Sequence, residues 1–278
     1  MPNAEIPEHD PLPRAIERFM TPRRTPPTQR DERLLAAGTT MALNCQLAAT
    51  SWGSPEAPTV LLAHGWNSRR SHWSAFVPEL RDSGFRVVAV DAPAHGDSPG
   101  DRANVLAYGK ALRAVGEELG PLAGIVGHSF GAGAAVIALH HGLAADRAVL
   151  ICGPASLIAL IERWCRRHQI AEDEIPRFLR RLEQEVGETI EALDIPRLAP
   201  RLHHPTLVVH DRGDEEVPVE DGVAVASACP RSRLMITERY GHRRILLAKE
   251  VVRAVNRFLT DDPSHVATGH QSTRSPGV

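Results

Sequence analysis

Lysine is almost missing from this chain. Of its 32 lysine and arginine residues only Lys110 and Lys249 are lysines. That skew is a bias of composition and carries no chemistry by itself. An excess of one charge is also missing. The 32 basic residues face 34 acidic ones, for a formal net of -2, and no block of one sign stands out. A polyanion such as nucleic acid therefore has no electrostatic footprint to meet. No run approaches the ~18 apolar residues of a membrane span. The opening segment, MPNAEIPEHDPLPRAIERFM, has early acids and prolines and no apolar signal-peptide core. A cytoplasmic protein acting without a membrane is expected. Cysteine is scarce and scattered: Cys45, Cys152, Cys165 and Cys229 form no C-x-x-C pair. Four reduced thiols are expected, with neither a disulfide framework nor a zinc site. HExxH, P-loop and repeat patterns are all wanting.

What is present is ordinary globular material: 278 residues, 42% hydrophobic and 24% charged. That length allows one large α/β domain or two small ones. Residues 1–35 read as a proline-rich leader, on or off the main body. Seven prolines there leave room for one short helix around Arg14–Met20. Residues 261–278 are polar, with Pro and Gly, and read as a disordered tail. Between them, residues 36–260 form the expected domain. Thr39–Ser51 has the content of a β-hairpin. Short apolar strands follow at Thr59–Ala63, Phe85–Val90, Leu122–Val126, Arg147–Cys152, Thr206–His210 and Arg233–Glu238. Helical patterns separate them at Ser71–Ser83, Arg102–Leu119 and Gly131–His141, and a closing helix spans Ile245–Leu259. Continuous apolar strands alternating with helices imply a mostly parallel sheet of about eight strands, sandwiched by helices. Leu157–Leu193 reads as two helices with no strand between. It belongs to a short helical cap insertion at about 154–202.

The sharpest local signal is Gly127-His128-Ser129-Phe130-Gly131, between the strand LAGIV and the small-residue helix AGAAVIALHH. That is the strand–turn–helix context of a nucleophile elbow. Side chains at Gly127 or Gly131 would collide with the neighbouring helix and strand. The turn lifts the Ser129 hydroxyl above the sheet edge and aims the Phe130 N–H, at a helix N-terminus, toward a substrate. A serine nucleophile needs a base, and the base needs an acid. His242 follows the last strand and Gly241 in a loop free to lean over the sheet edge. Two acids lie past the fifth of the six strands that follow the hairpin, in LVVHDRGDEEVP. Asp214 is preferred, and Asp211 remains the competitor as a turn carboxylate. Glu215 and Glu216 read as solvated. The second oxyanion donor falls in His64-Gly65-Trp66-Asn67, where Gly65 permits an unusual backbone and the Trp66 N–H pairs with that of Phe130. His64 reads as a structural hydrogen-bonder.

VLLAHGW, FRVVAVDAPAHGDSPG, GHSFG, LVVHDRGDEEVP and GHRRIL, in this order over residues 59–260, resemble the α/β-hydrolase fold superfamily of serine hydrolases. The resemblance implies Ser129 as nucleophile, His242 as base, Asp214 as acid, and the Trp66 and Phe130 amides as oxyanion hole. It implies no metal and no cofactor. It makes Asp91–Ser98 a structural loop, so His95 and Ser98 stay outside the catalytic set. Serine at the elbow separates the chain from dehalogenases and epoxide hydrolases of the same fold. Ala132 stands where many relatives carry a second glycine. In the cap, Leu157, Ile158, Leu160, Ile161 and Trp164 line an acyl or alcohol pocket or pack the cap on the core. Arg163, Arg166, Arg167, Arg180 and Arg181 read as a solvated face balanced by nearby acids, in preference to a contact with an anionic substrate.

The expected function is hydrolysis of a small-molecule carboxylic ester, or a related acyl compound, through an acyl-enzyme. Other triad chemistry stands as the alternative: a C–C bond hydrolase, thioesterase, perhydrolase or aminopeptidase. A non-catalytic ligand-binding member of the fold is a third reading. Nothing in the sequence fixes substrate or oligomeric state.

Overall fold

The computed structural model describes residues 10–261. The first nine residues and the expected tail beyond Asp261 lie outside them. Eight strands form one sheet: β1 (Thr39–Met41), β2 (Ala49–Trp52), β3 (Thr59–Ala63), β4 (Arg86–Val90), β5 (Gly124–His128), β6 (Ala148–Ile151), β7 (Thr206–Asp211) and β8 (Ser232–Thr237). Their spatial order is β1-β2-β4-β3-β5-β6-β7-β8. The β1–β2 hairpin is antiparallel and joins the sheet antiparallel to β4; the remaining pairs are parallel. Both faces of the inner parallel strands β3–β7 are covered, so their middles are apolar on both faces, whereas the edge strand β8 leaves Leu234 and Ile236 exposed. Leu61, Val88, Ile125, Leu150 and Val208 enter one core, and Val60, Val87, Val126, Val149 and Val209 the other. The period of two survives as a choice of face and not as a choice of polarity.

The helices are α1 (Leu12–Met20), α2 (Gln29–Ala36), α3 (Phe76–Asp82), α4 (Val105–Leu119), α5 (Phe130–His140), α6 (Leu157–Arg167), α7 (Ile175–Val186), α8 (Ile195–Leu198), α9 (Val219–Ala228), α10 (Gly241–Arg244) and α11 (Lys249–Thr260). Residues of α4, α5 and α9 fill the first core, and those of α3 and α11 the second. The cap is helical throughout, from α6 to α8. No helix among the described residues is long and apolar enough to cross a membrane.

Four expectations need correction. The leader holds a second helix, α2, because its prolines stop at Pro27. Thr28 then caps the helix: its hydroxyl accepts from Asp31 N–H while the Asp31 carboxylate accepts from Thr28 N–H at 2.8 Å. The helix expected over Ser71–Ser83 is a 3-10 turn (Arg70–Trp73) followed by α3. The closing helix is broken by Ala248, whose extended backbone (φ -73°, ψ 112°) separates a turn at Ile245–Leu247 from α11. The strand expected over Leu122–Val126 begins two residues later, since Leu122 makes only an isolated bridge to Ala145.

The leader lies on the body. Leu12, Ile16 and Met20 of α1 are buried, and Phe19 meets Trp164 and Phe178 of the cap edge-on at 5.0 and 5.8 Å. Beyond α1 the chain crosses to the core. Arg23 N–H donates to the Asn67 side chain at 2.7 Å, and the Arg24 guanidinium to the carbonyls of Gly96 and Gly100 at 2.9 and 2.6 Å.

Candidate active site

The turn between β5 and α5 is as tight as its glycines suggest. A Cβ on Gly127 would lie 2.4 Å from the Gly131 carbonyl oxygen, and one on Gly131 would lie 2.1 Å from that of Ala63. Ser129 between them is held at φ 52°, ψ -116°, a strained backbone for a residue with a side chain. Its N–H donates to the Ile151 carbonyl at 2.8 Å, which ties the turn to the end of β6.

Four strand ends converge here. The Ser129 hydroxyl faces His242 Nε2 at 2.9 Å, and His242 Nδ1–H donates to Asp214 Oδ2 at 2.7 Å. Gly241, at φ +62°, lets the chain turn into α10 and swing His242 inward. The other Asp214 oxygen accepts from Glu216 N–H and Val217 N–H at 2.9 and 2.8 Å. Burial pushes the Asp214 carboxyl up. The nearby His210 imidazole, the hydrogen bond and charge of His242 and the Val217 amide outweigh it and hold the group far below the usual carboxylate range. Asp211 does different work. It accepts from Thr237 Oγ1 (2.6 Å) and from the N–H groups of Gly213, Arg239 and Tyr240 (2.9, 3.1 and 3.0 Å). Burial alone would raise it, but these bonds lower it to about 2. Asp211 thus ties together the two loops that carry Asp214 and His242, and of the two competing acids it is Asp214 that meets the His242 ring.

Trp66 and Phe130 come together across Ser129. Their rings meet edge-on at 5.1 Å, and neither backbone N–H has an acceptor among the described residues. The Phe130 amide opens α5, where the helix dipole adds positive character. Gly65 is required for a reason other than the expected one. Its φ is not left-handed; instead a Cβ there would lie 2.8 Å from His128 Nδ1 and 3.2 Å from Ser129 Cβ. The unusual backbone belongs to Asn67, at φ 54°.

Further histidines surround this chain of three groups without joining it. His64 is fully buried, receives Ala92 N–H at Nε2 (2.9 Å) and donates from Nδ1 to the Gly65 carbonyl (2.7 Å). His95 donates to the Pro93 carbonyl and stacks on Phe130. Ser98 bridges the Asp91 carbonyl and Ala48 N–H. The loop Asp91–Ser98 wraps a buried ion pair between Arg70 and Asp91, and a Cβ at Gly96 would strike the Asp91 carboxylate. Two residues that sequence reasoning missed support the site directly. His128 donates from Nε2 to the His242 carbonyl at 2.8 Å, and His210 donates to the Val217 carbonyl at 3.0 Å while lying 3.5 Å from Asp214 Oδ2. No sequence signal marks either one; each is one of 14 histidines. Burial drives His128 down to about 3 and His95 to about 4, so both imidazoles are neutral near pH 7.

Among the described residues one group of three donor atoms is compact enough for a metal: Cys152, His210 and Asp214, all buried. It is a poor metal site. Burial pushes the Cys152 thiol far up, which keeps it protonated, and both Asp214 oxygens already accept hydrogen bonds.

Two adjoining cavities open on Ser129 and His242 and share Trp66, Trp164 and Glu216. One, about 240 Å³, lies under the cap and is walled by Phe19, Phe130, Leu157, Leu160, Ile161 and Trp164. Of the cap positions offered for pocket or packing, Ile158 alone takes only the packing role. The other cavity, about 780 Å³, is a wider cleft of mixed lining whose wall includes leader residues Arg18, Arg23, Arg30 and Asp31. Glu216, expected to be solvated, lines both cavities and binds Arg243 at 2.7 Å. In the cap, Arg166 pairs with Glu162 and Glu172, and Arg163 lies near Asp221.

A family model described as the alpha/beta hydrolase family matches residues 60–254. Among curated proteins, a pimeloyl-[acyl-carrier protein] methyl ester esterase of Methylococcus capsulatus is 38% identical over 112 residues, covering 38% of this chain and 41% of that protein. A bifunctional esterase/perhydrolase of Acinetobacter calcoaceticus is 34% identical over 116 residues, covering 40% and 42%. The matches thus span about two-fifths of each relative's length. The same fold recurs in a Pyrococcus furiosus esterase (TM-score 0.64, 21% identity, 86% of this chain and 95% of that one). It recurs also in a meta-cleavage product hydrolase of Pseudomonas fluorescens (TM-score 0.59, 20% identity, 81% and 98%).

Proposed function

Because the chain belongs to the alpha/beta hydrolase family, we propose that it is a serine hydrolase of carboxylic esters, with Ser129 as nucleophile, His242 as base and Asp214 as acid. The observation that carries the reading is the His242 ring, bonded at one nitrogen to the Ser129 hydroxyl and at the other to Asp214. Both curated relatives are named as esterases, which agrees with it. Ser129 Oγ attacks the ester carbonyl as His242 Nε2 takes its proton. Asp214 holds the tautomer that leaves Nε2 free and stabilises the imidazolium that forms. The oxyanion rests on the Trp66 and Phe130 N–H groups, each worth about 3–4 kcal/mol of barrier. The imidazolium then protonates the leaving alcohol. A water activated by the same ring clears the acyl-enzyme and returns the proton to Ser129. In this reading residues 36–260 are the catalytic domain, and the insertion at about 154–202 covers the acyl pocket.

The test is hydrolysis of p-nitrophenyl esters from acetate to dodecanoate by the wild type beside Ser129→Ala. Wild-type turnover with a loss of ~10³-fold or more in the variant is expected. A variant as active as the wild type, or a wild type inert on the whole series, overturns the reading.

A further inference from the structure

The two cavities differ in the one respect that matters for an ester, since an ester has two unequal halves. The cavity under the cap is small and mainly apolar, with Arg163 and Arg167 at its wall; the adjoining cleft is about three times larger, more polar, and carries the leader arginines. Both reach Ser129 and His242. The acyl half stays bonded to Ser129 until water arrives, whereas the alcohol half must leave first. The smaller, more apolar chamber suits the half that stays, and the larger, more polar cleft suits the half that goes.

The charges of the cleft are unequal. Its two acids are occupied: Asp31 caps α2 through Thr28, and Glu216 binds Arg243. Arg18, Arg23 and Arg30 also line it, and their guanidinium groups have no carboxylate partner among the described residues. All three belong to the leader, which the backbone bonds of Arg23 and the side-chain bonds of Arg24 fix against the core. The arginine patch is therefore a wall of the site and not a loose arm.

We propose that the substrate is an ester of a short or medium apolar acyl group with an alcohol that bears an anionic oxygen acid, carboxylate or phosphate, bound by Arg18, Arg23 and Arg30. This rests on the ester-hydrolase reading above. The chemistry is unchanged: the ester C–O bond breaks, the Ser129 Oγ–carbon bond forms, and the serine proton passes through His242 to the departing alcohol oxygen. The arginines act on the half that leaves, by charge attraction and by steering an anion into the cleft.

The experiment compares kcat/KM for matched chromogenic butyrates of a neutral nitrophenol, a carboxylate-bearing nitrophenol and a phosphate-bearing nitrophenol, together with a 4-nitrophenyl hydrogen adipate whose anion sits on the acyl half. The expected result is a preference on the order of tenfold for the anionic leaving groups at low salt, the sum of three exposed ion pairs. That preference shrinks toward one in about 0.5 M salt. It shrinks likewise in the Arg18→Gln, Arg23→Gln, Arg30→Gln triple variant, whose altered side chains are exposed. The relative rates of the carboxylate and phosphate arms say which oxygen acid fits better. Turnover without preference, a preference for the adipate, or a preference that survives in the triple variant overturns the proposal alone. Inertness toward every ester overturns the hydrolase reading and this proposal with it.

Discussion

At the scale of single residues, the site depends on where two carboxylates spend their oxygens. Asp211 and Asp214 stand three positions apart, but only Asp214 meets an imidazole nitrogen; Asp211 is consumed by loop amides and Thr237. Asp214→Asn keeps the shape and removes the acceptor that selects the His242 tautomer. Its kcat on a p-nitrophenyl ester is expected to fall by roughly 10⁴-fold with KM little changed. A kcat within tenfold of wild type would mean that Asp214 does not orient the ring. The sequence left these two acids in competition because both sit just past the same strand. Spacing cannot say which oxygen faces inward; only the turn built by Gly213 and the pairing of Asp211 with the loop after β8 decides it. Gly65 was legible as a necessary glycine and misread in its reason. A close approach to His128, 63 positions away in the chain, leaves no local signature.

Elements were easier to read than contacts. Five buried strands, the edge strand β8, the hairpin and the elbow follow from apolar runs punctuated by glycine and polar turns, since a parallel sheet buried on both faces writes itself as such runs. Helix α2 escaped because prolines dominate its neighbourhood. Yet Thr28-x-x-Asp31 just after Pro27 is a capping pattern that would have revealed it. The elbow itself offers a prediction at this scale. Gly131→Ala drives a methyl group into the end of β3, against backbone that has no room to yield. The variant is expected to lose about 1–3 kcal/mol of stability. The loss falls on the turn that holds Ser129, so ester turnover drops by more than tenfold even where thermal melting shows the protein folded. An unchanged melting temperature and rate would mean that the turn is looser than its contacts indicate.

The whole molecule carries a set of buried neutral histidines, and these tie its stability to pH. His95 and His128 titrate at about 4 and about 3 in the folded protein, and burial holds His64 well below its ordinary value too. Unfolded, each would titrate near 6.5. Between those values the unfolded chain binds more protons than the native one. The stabilisation is therefore fully present above about pH 6.5 and is lost as pH falls toward 4 and 3. Urea unfolding is expected to show a loss of about 3 kcal/mol or more from pH 6.5 to 5, at roughly 1.4 kcal/mol per pH unit for each histidine. Asp211 and Asp214, held below their ordinary value, add a second loss only below about pH 4. A stability that is flat from pH 7 to 5 would show that these histidines titrate normally.

The anchorage of α1 also sets an order of events in synthesis. This helix is made well before the cap, but its Phe19 finds its aromatic partners Trp164 and Phe178 there, more than 140 residues later. At roughly 5–20 residues per second the helix waits many seconds with that ring uncovered. The sheet can assemble around β3–β5 in the meantime, because those strands are closer neighbours in the chain. Helix α1 is thus made before the cap it packs on, and the Arg18 edge of the cleft is completed only once the cap has formed.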